Sequence, residues 1–176
     1  TGTDDATADT INGGAGADKI YGGLGADNLK GGAGNDIFYA TSDLDGIDTI
    51  DGDDSTNSGS DTVDYSALTN NANKIVVDLS TTNGSGYSTV TVTATNEPIT
   101  PSDNDDLIKN VENIIATFGN DTITGNSVAN IIDGGNGIDE MRYDYSSVAS
   151  TGVKVDLTTG TATETVSSVA VIDQLS

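Results

Sequence analysis

The sequence predicts an all-β protein built from short units that stack on one another, interrupted by β-strand insertions. Three observations lead there. A nine-residue unit runs three times in tandem from Gly13 to Tyr39, as GGAGADKIY, GGLGADNLK and GGAGNDIFY. The same frame returns from Leu107 to Arg142. Outside these runs, Lys74-Ile-Val-Val-Asp-Leu79 and Thr89-Val-Thr-Val-Thr-Ala-Thr95 alternate apolar and polar residues, as half-buried strands do.

Each tandem unit carries Gly at its first, second and fourth positions and Asp at its sixth: Asp18, Asp27 and Asp36. The eighth position is large and apolar: Ile20, Leu29 and Phe38. Six polar, glycine-rich residues cannot pack a core, but they can turn tightly, because Gly tolerates positive φ and close backbone approach. Such a turn aims carbonyls inward, and its Asp adds a hard anionic oxygen. The last three residues make a minimal strand whose middle side chain faces in. One unit buries a single apolar residue and cannot fold alone, whereas stacked units bury a ladder. Three matches at five fixed positions set the segment apart from a flexible Gly-rich linker.

The pattern G-G-x-G-x-D-x-U-x resembles the calcium-binding nonapeptide of RTX (repeats-in-toxin) proteins. The resemblance implies a right-handed parallel β-roll in which two nonapeptides make one coil. Turns on the same side then lie about 18 residues apart, with calcium between them. One turn would offer the carbonyls of its second and fourth residues plus its Asp, the next those of its first and third plus its Asp. The best pair sets Gly14, Gly16 and Asp18 against Gly31, Ala33 and Asp36. On the other side Asp5, Thr7 and Asp9 would face Gly22, Leu24 and Asp27. Gly23 and Gly25 of that same turn would then face the coil holding Asp45.

Taken in order, Thr1 to Asn12 fits the frame in degraded form, with Asp9 and Ile11 in place. Ala40 to Asp48 keeps Asp45 and Ile47 at the sixth and eighth positions but lacks the Gly pair. Two shorter cores follow, Gly46-Ile-Asp48-Thr-Ile50 and Gly59-Ser-Asp61-Thr-Val63. Between them the acidic stretch Asp51 to Ser60 reads as a solvated loop, with an extra calcium as the alternative. Residues 1–51 are thus the first roll and 52–106 a β-insertion, with Asn83-Gly84 as the turn between its two strands. The second roll, 107–142, puts Glu112, Asp121, Asn130 and Asp139 at the sixth position. Its strong pair is Thr117, Gly119 and Asp121 against Gly134, Asn136 and Asp139. Residues 143–176 repeat the insertion: Val63-Asp-Tyr-Ser-Ala-Leu68 resembles Tyr143-Asp-Tyr-Ser-Ser-Val148, and Lys74 to Leu79 resembles Val153 to Leu157. In repeat coordinates the chain stops a few residues short of where it starts, which suggests a cut through a tandem array or a subunit that stacks head to tail.

Composition fits a protein held together by ions. The 176 residues include 28 Asp plus Glu against six Lys plus Arg, a formal charge of −22, and only 34% are hydrophobic. Self-repulsion opposes compaction of such a chain, and its charge and hydropathy lie near those of disordered proteins. Several calcium ions would replace part of the missing core; four would bring the charge to about −14. Without a basic patch there is nothing to release counterions from nucleic acid, and no stretch approaches the roughly 20 apolar residues of a membrane span. The chain has no His and no Cys, so the usual nucleophilic sets lack parts. Weak stacked calcium sites suit the extracellular space, at a bacterial surface or in a matrix. The reading is a secreted, non-enzymatic structural or adhesive protein that assembles with copies of itself. The alternative is the non-catalytic tail of a secreted enzyme or toxin.

Overall fold

In a computed structural model the residues described are 7–41, 46–53, 59–68, 74–93, 105–126, 128, 130–142, 154–156 and 159–160. Among them there is no helix. The strands follow in order as β1 (Thr10–Ala15), β2 (Lys19–Tyr21), β3 (Asn28–Ala33), β4 (Ile37–Tyr39), β5 (Thr49–Asp53) and β6 (Thr62–Asp64). Next come β7 (Lys74–Asp78), β8 (Ser88–Thr93), β9 (Asp105–Lys109), β10 (Asn113–Ile115), β11 (Thr122–Thr124) and β12 (Ile131–Asp133). The last are β13 (Asn136–Gly137), β14 (Glu140–Arg142), β15 (Lys154–Asp156) and β16 (Thr159–Gly160).

Apart from β7 to β9, which share one sheet, and β13 and β16, which form a small third one, successive short strands fall alternately into two sheets and build a parallel β-roll. The six-stranded sheet is parallel throughout, in the order β15-β12-β10-β6-β4-β2. The eight-stranded sheet runs β1-β3-β5-β9-β8-β7-β11-β14. In the tandem region the partners are 18 residues apart, Thr10 beside Asn28 and Lys19 beside Ile37. One coil is therefore two nonapeptides.

This register stacks the apolar eighth positions. Ile20, Phe38, Val63, Ile114 and Ile132 align across one sheet, and Leu29, Ile50 and Ile108 across the other. All are buried, Phe38 completely. Burying such a side chain is worth about 1.5–3 kcal/mol, so the thin core is stabilised one rung per strand. Outside, the Tyr21 and Tyr39 rings stack with centroids 4.5 Å apart.

The frame drawn through Ala40 to Asp48 does not survive folding. The connection after β4 is longer by three residues: the partner of Asn28 is Thr49, 21 residues on. Ile50 therefore enters the core instead of Ile47, which is only half-buried. Asp51, grouped in sequence with the acidic loop, is also buried. It pairs with Lys109 at 2.8 Å and accepts from the Asn110 amide at 2.8 Å.

The insertion forms a hairpin. Alternation in β7 buries Ile75 and Val77 and exposes Val76. The turn closes where the Asn83 amide donates to the Tyr87 carbonyl, and Asn83 Oδ1 accepts from Ser85 N. β8 is antiparallel to both β7 and β9, while β7 pairs in parallel with β11. Two extra strands thus separate β9 from β11 in this sheet, although β10 touches β6 and β12 directly in the other. The second sequence copy behaves differently: β15 joins β12 in the six-stranded sheet, whereas β7 lies in the eight-stranded one. Alternation marks a strand but not the sheet that receives it. Residues 143–148, the second D-Y-S copy, lie outside the described residues.

Candidate metal centres along the roll edges

The turns between the sheets form two edges, and each edge is a ladder of carboxylates. On one edge the amides of Asp9, Asp27 and Asp48 donate to Oδ1 of Asp27, Asp48 and Asp106, at 2.7, 2.8 and 3.0 Å. On the other, Asp18 donates to Asp36 and Asp36 to Asp61, both at 2.8 Å, and Asp61 donates to Glu112 Oε2 at 2.8 Å. Beyond the hairpin the ladder resumes, Asp121 donating to Asp139 at 2.9 Å.

Each rung so described uses one carboxylate oxygen. The other, Oδ2 of Asp18, Asp27, Asp36 and Asp139, is buried and has no hydrogen-bond partner. An anionic oxygen left this way costs several kcal/mol in order of magnitude unless something positive meets it. Glycine makes room for it. A Cβ at Gly13 would lie 2.8 Å from Asp18 Oδ2, one at Gly22 2.5 Å from Asp27 Oδ2, and one at Gly134 2.7 Å from Asp139 Oδ2. At Gly31 it would strike Asp36 Oδ2 and the Gly52 carbonyl.

Backbone carbonyls face the same gaps. The second- and fourth-position glycines of the full repeats have positive φ, as at Gly32 (102°) and Gly34 (133°). Cβ atoms there would collide with the carbonyl oxygens of Gly14 and Gly16, which reach up from the coil below. From above, the Gly31 carbonyl approaches Gly13, and the Ala33 carbonyl accepts from Gly16 N at 2.7 Å. Gly14, Gly16 and Asp18 are thereby brought opposite Gly31, Ala33 and Asp36. In the second run the carbonyls of Thr117 and Gly119 reach Gly135 and Gly137 in the same way. The backbone of Asn136 pairs with Thr159. Burial pushes the Asp121 carboxyl above its ordinary range, and pushes Asp139 to about 7.

The remaining candidates are less uniform. Asp9 joins the ladder to Asp27, with Thr7 exposed in the turn before it. Gly22, Gly23, Leu24 and Gly25 form the turn at Asp27, and the Gly25 carbonyl lies 2.5 Å from a Cβ placed on Gly46. Asp5 and Asp45 lie outside the described residues. The rung above Asp27 is Asp48, three residues beyond the Asp45 of the sequence frame. Asp61 and Asp106 were also missed as rungs. Their signal was the triplet Asp-x-apolar alone, seen in Asp48-Thr-Ile50, Asp61-Thr-Val63 and Asp106-Leu-Ile108.

Among the described residues no three acidic side chains converge. A cation here must be held by one carboxylate per turn together with carbonyls. That donor set fits calcium, a hard ion that takes about six to eight oxygen ligands. Bound there, it supplies the positive charge that the buried oxygens lack.

No curated protein matches the chain. The family profile of the RTX calcium-binding nonapeptide repeat matches residues 3–39 and 111–141, in four copies. Such repeats bind several calcium ions per stretch, and typically form structural rather than catalytic modules. Stacked as a parallel roll along carboxylate-lined edges, residues 3–39 and 111–141 are RTX calcium-binding nonapeptide repeats.

Proposed function

We propose that the chain is an extracellular structural or adhesive segment, of a surface layer, fibre or large adhesin, that folds and then stacks head to tail as it binds calcium. The observation that carries this reading is the buried Oδ2 without a donor, repeated at Asp18, Asp27, Asp36 and Asp139. Gly14, Gly16, Asp18, Gly31, Ala33 and Asp36 hold one ion in this reading. Thr117, Gly119, Asp121, Gly134, Asn136 and Asp139 hold another. The turns at Asp9, Asp27 and Asp48 hold more. Without calcium the stacked anions repel; with it, each ion joins two turns and stabilises the fold by RT ln(1 + [L]/Kd).

Two further facts support the placement and the assembly. RTX repeats are typical of secreted proteins, and calcium is abundant outside cells. Among the described residues both of these sheets are open, with β1 and β2 as outer strands at one end and β14 and β15 at the other. Open edges in solenoids invite pairing with a neighbour. A second copy of the same parallel roll offers outer strands to pair with them. The test is circular dichroism through a calcium titration, with electron microscopy and light scattering on the same sample. Strand signal should rise with calcium and stacked particles should follow. Full strand content in chelator would overturn the folding half, and a monomer at high concentration in millimolar calcium the assembly half.

A further inference from the structure

Two rungs of the ladder differ from the rest, and both flank the hairpin. Asp106 accepts Asp48 N on Oδ1 at 3.0 Å, like any rung, but its Oδ2 accepts the hydroxyl of Tyr65 at 2.9 Å. Tyr65 directly follows β6, so it stands where a full repeat has its first glycine, and its side chain is completely buried. Its amide donates to the Ile115 carbonyl of β10 at 2.8 Å. On the far side of the hairpin, Asp121 accepts Ile75 N at 2.6 Å on Oδ1. Its Oδ2 accepts both the amide and the hydroxyl of Thr117, at 3.0 and 3.1 Å. At the Asp106 rung the Tyr65 hydroxyl fills the place that a cation fills elsewhere, whereas Asp121 still stands beside Asp139 in the ladder.

The hairpin explains why. It puts two extra strands between β9 and β11, so the turns that flank it on this edge are too far apart to share an ion. Tyr65, Leu68, Ile75 and Val90 are buried in the same core that spans the junction. On the opposite edge the same widening leaves a cleft of about 220 Å³ over Ile108 and Val111.

We propose that Tyr65 is a metal surrogate: it closes the Asp106 rung to calcium and makes the junction around β6 to β10 a calcium-independent nucleus. The tandem coils before it and the coils after it then depend on calcium, and build outward from a centre that does not. This rests on the calcium reading of the edges, and its test separates the two.

The experiment is hydrogen exchange by mass spectrometry on the full chain, in calcium and in chelator, for wild type and Tyr65→Phe. In chelator, wild type should keep protection in β7 to β10 and lose it in β1 to β4. Tyr65→Phe should exchange roughly tenfold faster or more in β7 to β10 in chelator, as expected when a buried carboxylate loses its donor. In saturating calcium it should bind as many ions as wild type, because no ion sits at Asp106. Uniform loss of protection in chelator would overturn the nucleus while leaving the calcium reading intact. So would a Tyr65→Phe profile identical to wild type. A lower calcium count in Tyr65→Phe would overturn the surrogate role by placing an ion at that rung. Protection unchanged by chelator anywhere would overturn both readings.

Discussion

The amide of Asp18 donates to Oδ1 of Asp36 across 2.8 Å, while Oδ2 of Asp36 turns back, buried and without a donor, beside Gly31. One carboxylate thus does two jobs. It ties a coil to its neighbour through a neutral amide, and it leaves an anionic oxygen beside Gly31, where the Gly52 carbonyl of the next coil also approaches. The first job needs only an acceptor. The second needs charge.

Separating those jobs gives the first expected outcome. Asp36→Asn keeps an acceptor for the Asp18 amide and loses the anion; Asp36→Ala loses both. Each should weaken calcium binding to the tandem coils by roughly 10–100-fold or more, since even outer-sphere partners matter at that scale. Asp121→Ala should leave those coils' affinity intact. Isothermal titration calorimetry measures this, and an Asp36→Asn isotherm that overlays wild type would refute the role.

Gly34 has φ near 133°, and any Cβ would run into the Gly16 carbonyl. Gly34→Ala should destabilise the calcium-bound roll by about 1–3 kcal/mol from backbone strain alone. Gly84, in the hairpin turn, has nothing within 4 Å of an added Cβ. Gly84→Ala should stay within about 0.5 kcal/mol of wild type. Thermal melts in saturating calcium compare the two directly, and equal melting points would show that the close approach at Gly34 does not constrain the turn.

Phe38 is completely buried between Ile20 and Val63, whereas Tyr21 is 53% exposed. Phe38→Ala should therefore cost about 3–5 kcal/mol, by lost transfer energy and a residual cavity. Tyr21→Ala gives up one exposed ring stack and should cost about 1 kcal/mol. Urea denaturation in calcium would check the ranking; a milder effect at Phe38 than at Tyr21 would mean the apolar ladder contributes little.

The calcium-free protein should respond to acid. Burial raises the Asp139 carboxyl from 3.8 to about 7; the Asp121 amide opposes the shift, and repulsion from Asp121 and Asp133 adds to it. Between those values the folded state holds a proton that the unfolded chain has released, so stability falls as pH rises. The stabilisation is complete below 3.8 and lost as pH passes about 7. In chelator, strand content by circular dichroism should thus be higher near pH ~5 than near pH ~8. Equal content at both would contradict the buried state of Asp139.

Much of this molecule was legible from the chain alone, and the rest was not, for a physical reason. Gly13 to Tyr39 and Leu107 to Arg142 announce themselves because turn and strand alternate at fixed spacing. There, glycine at the second and fourth positions, Asp at the sixth and an apolar residue at the eighth each have one place to go. Alternation likewise marks β7 and β8. Where the spacing slips, counting residues fails. Coil closure in space asks only that an Asp-x-apolar triplet return to the edge, however long the connection, so Asp48 rather than Asp45 became the rung, and Asp106 followed a detour of more than forty residues. Which sheet would receive β7 and which β15, and that the Tyr65 hydroxyl would meet Asp106, depended on contacts between segments far apart in sequence. Composition, repeat and periodicity determined the roll and its appetite for calcium. Only the folded chain decided where the ladder runs through the hairpin, because long-range pairing, not local preference, sets distances between coils.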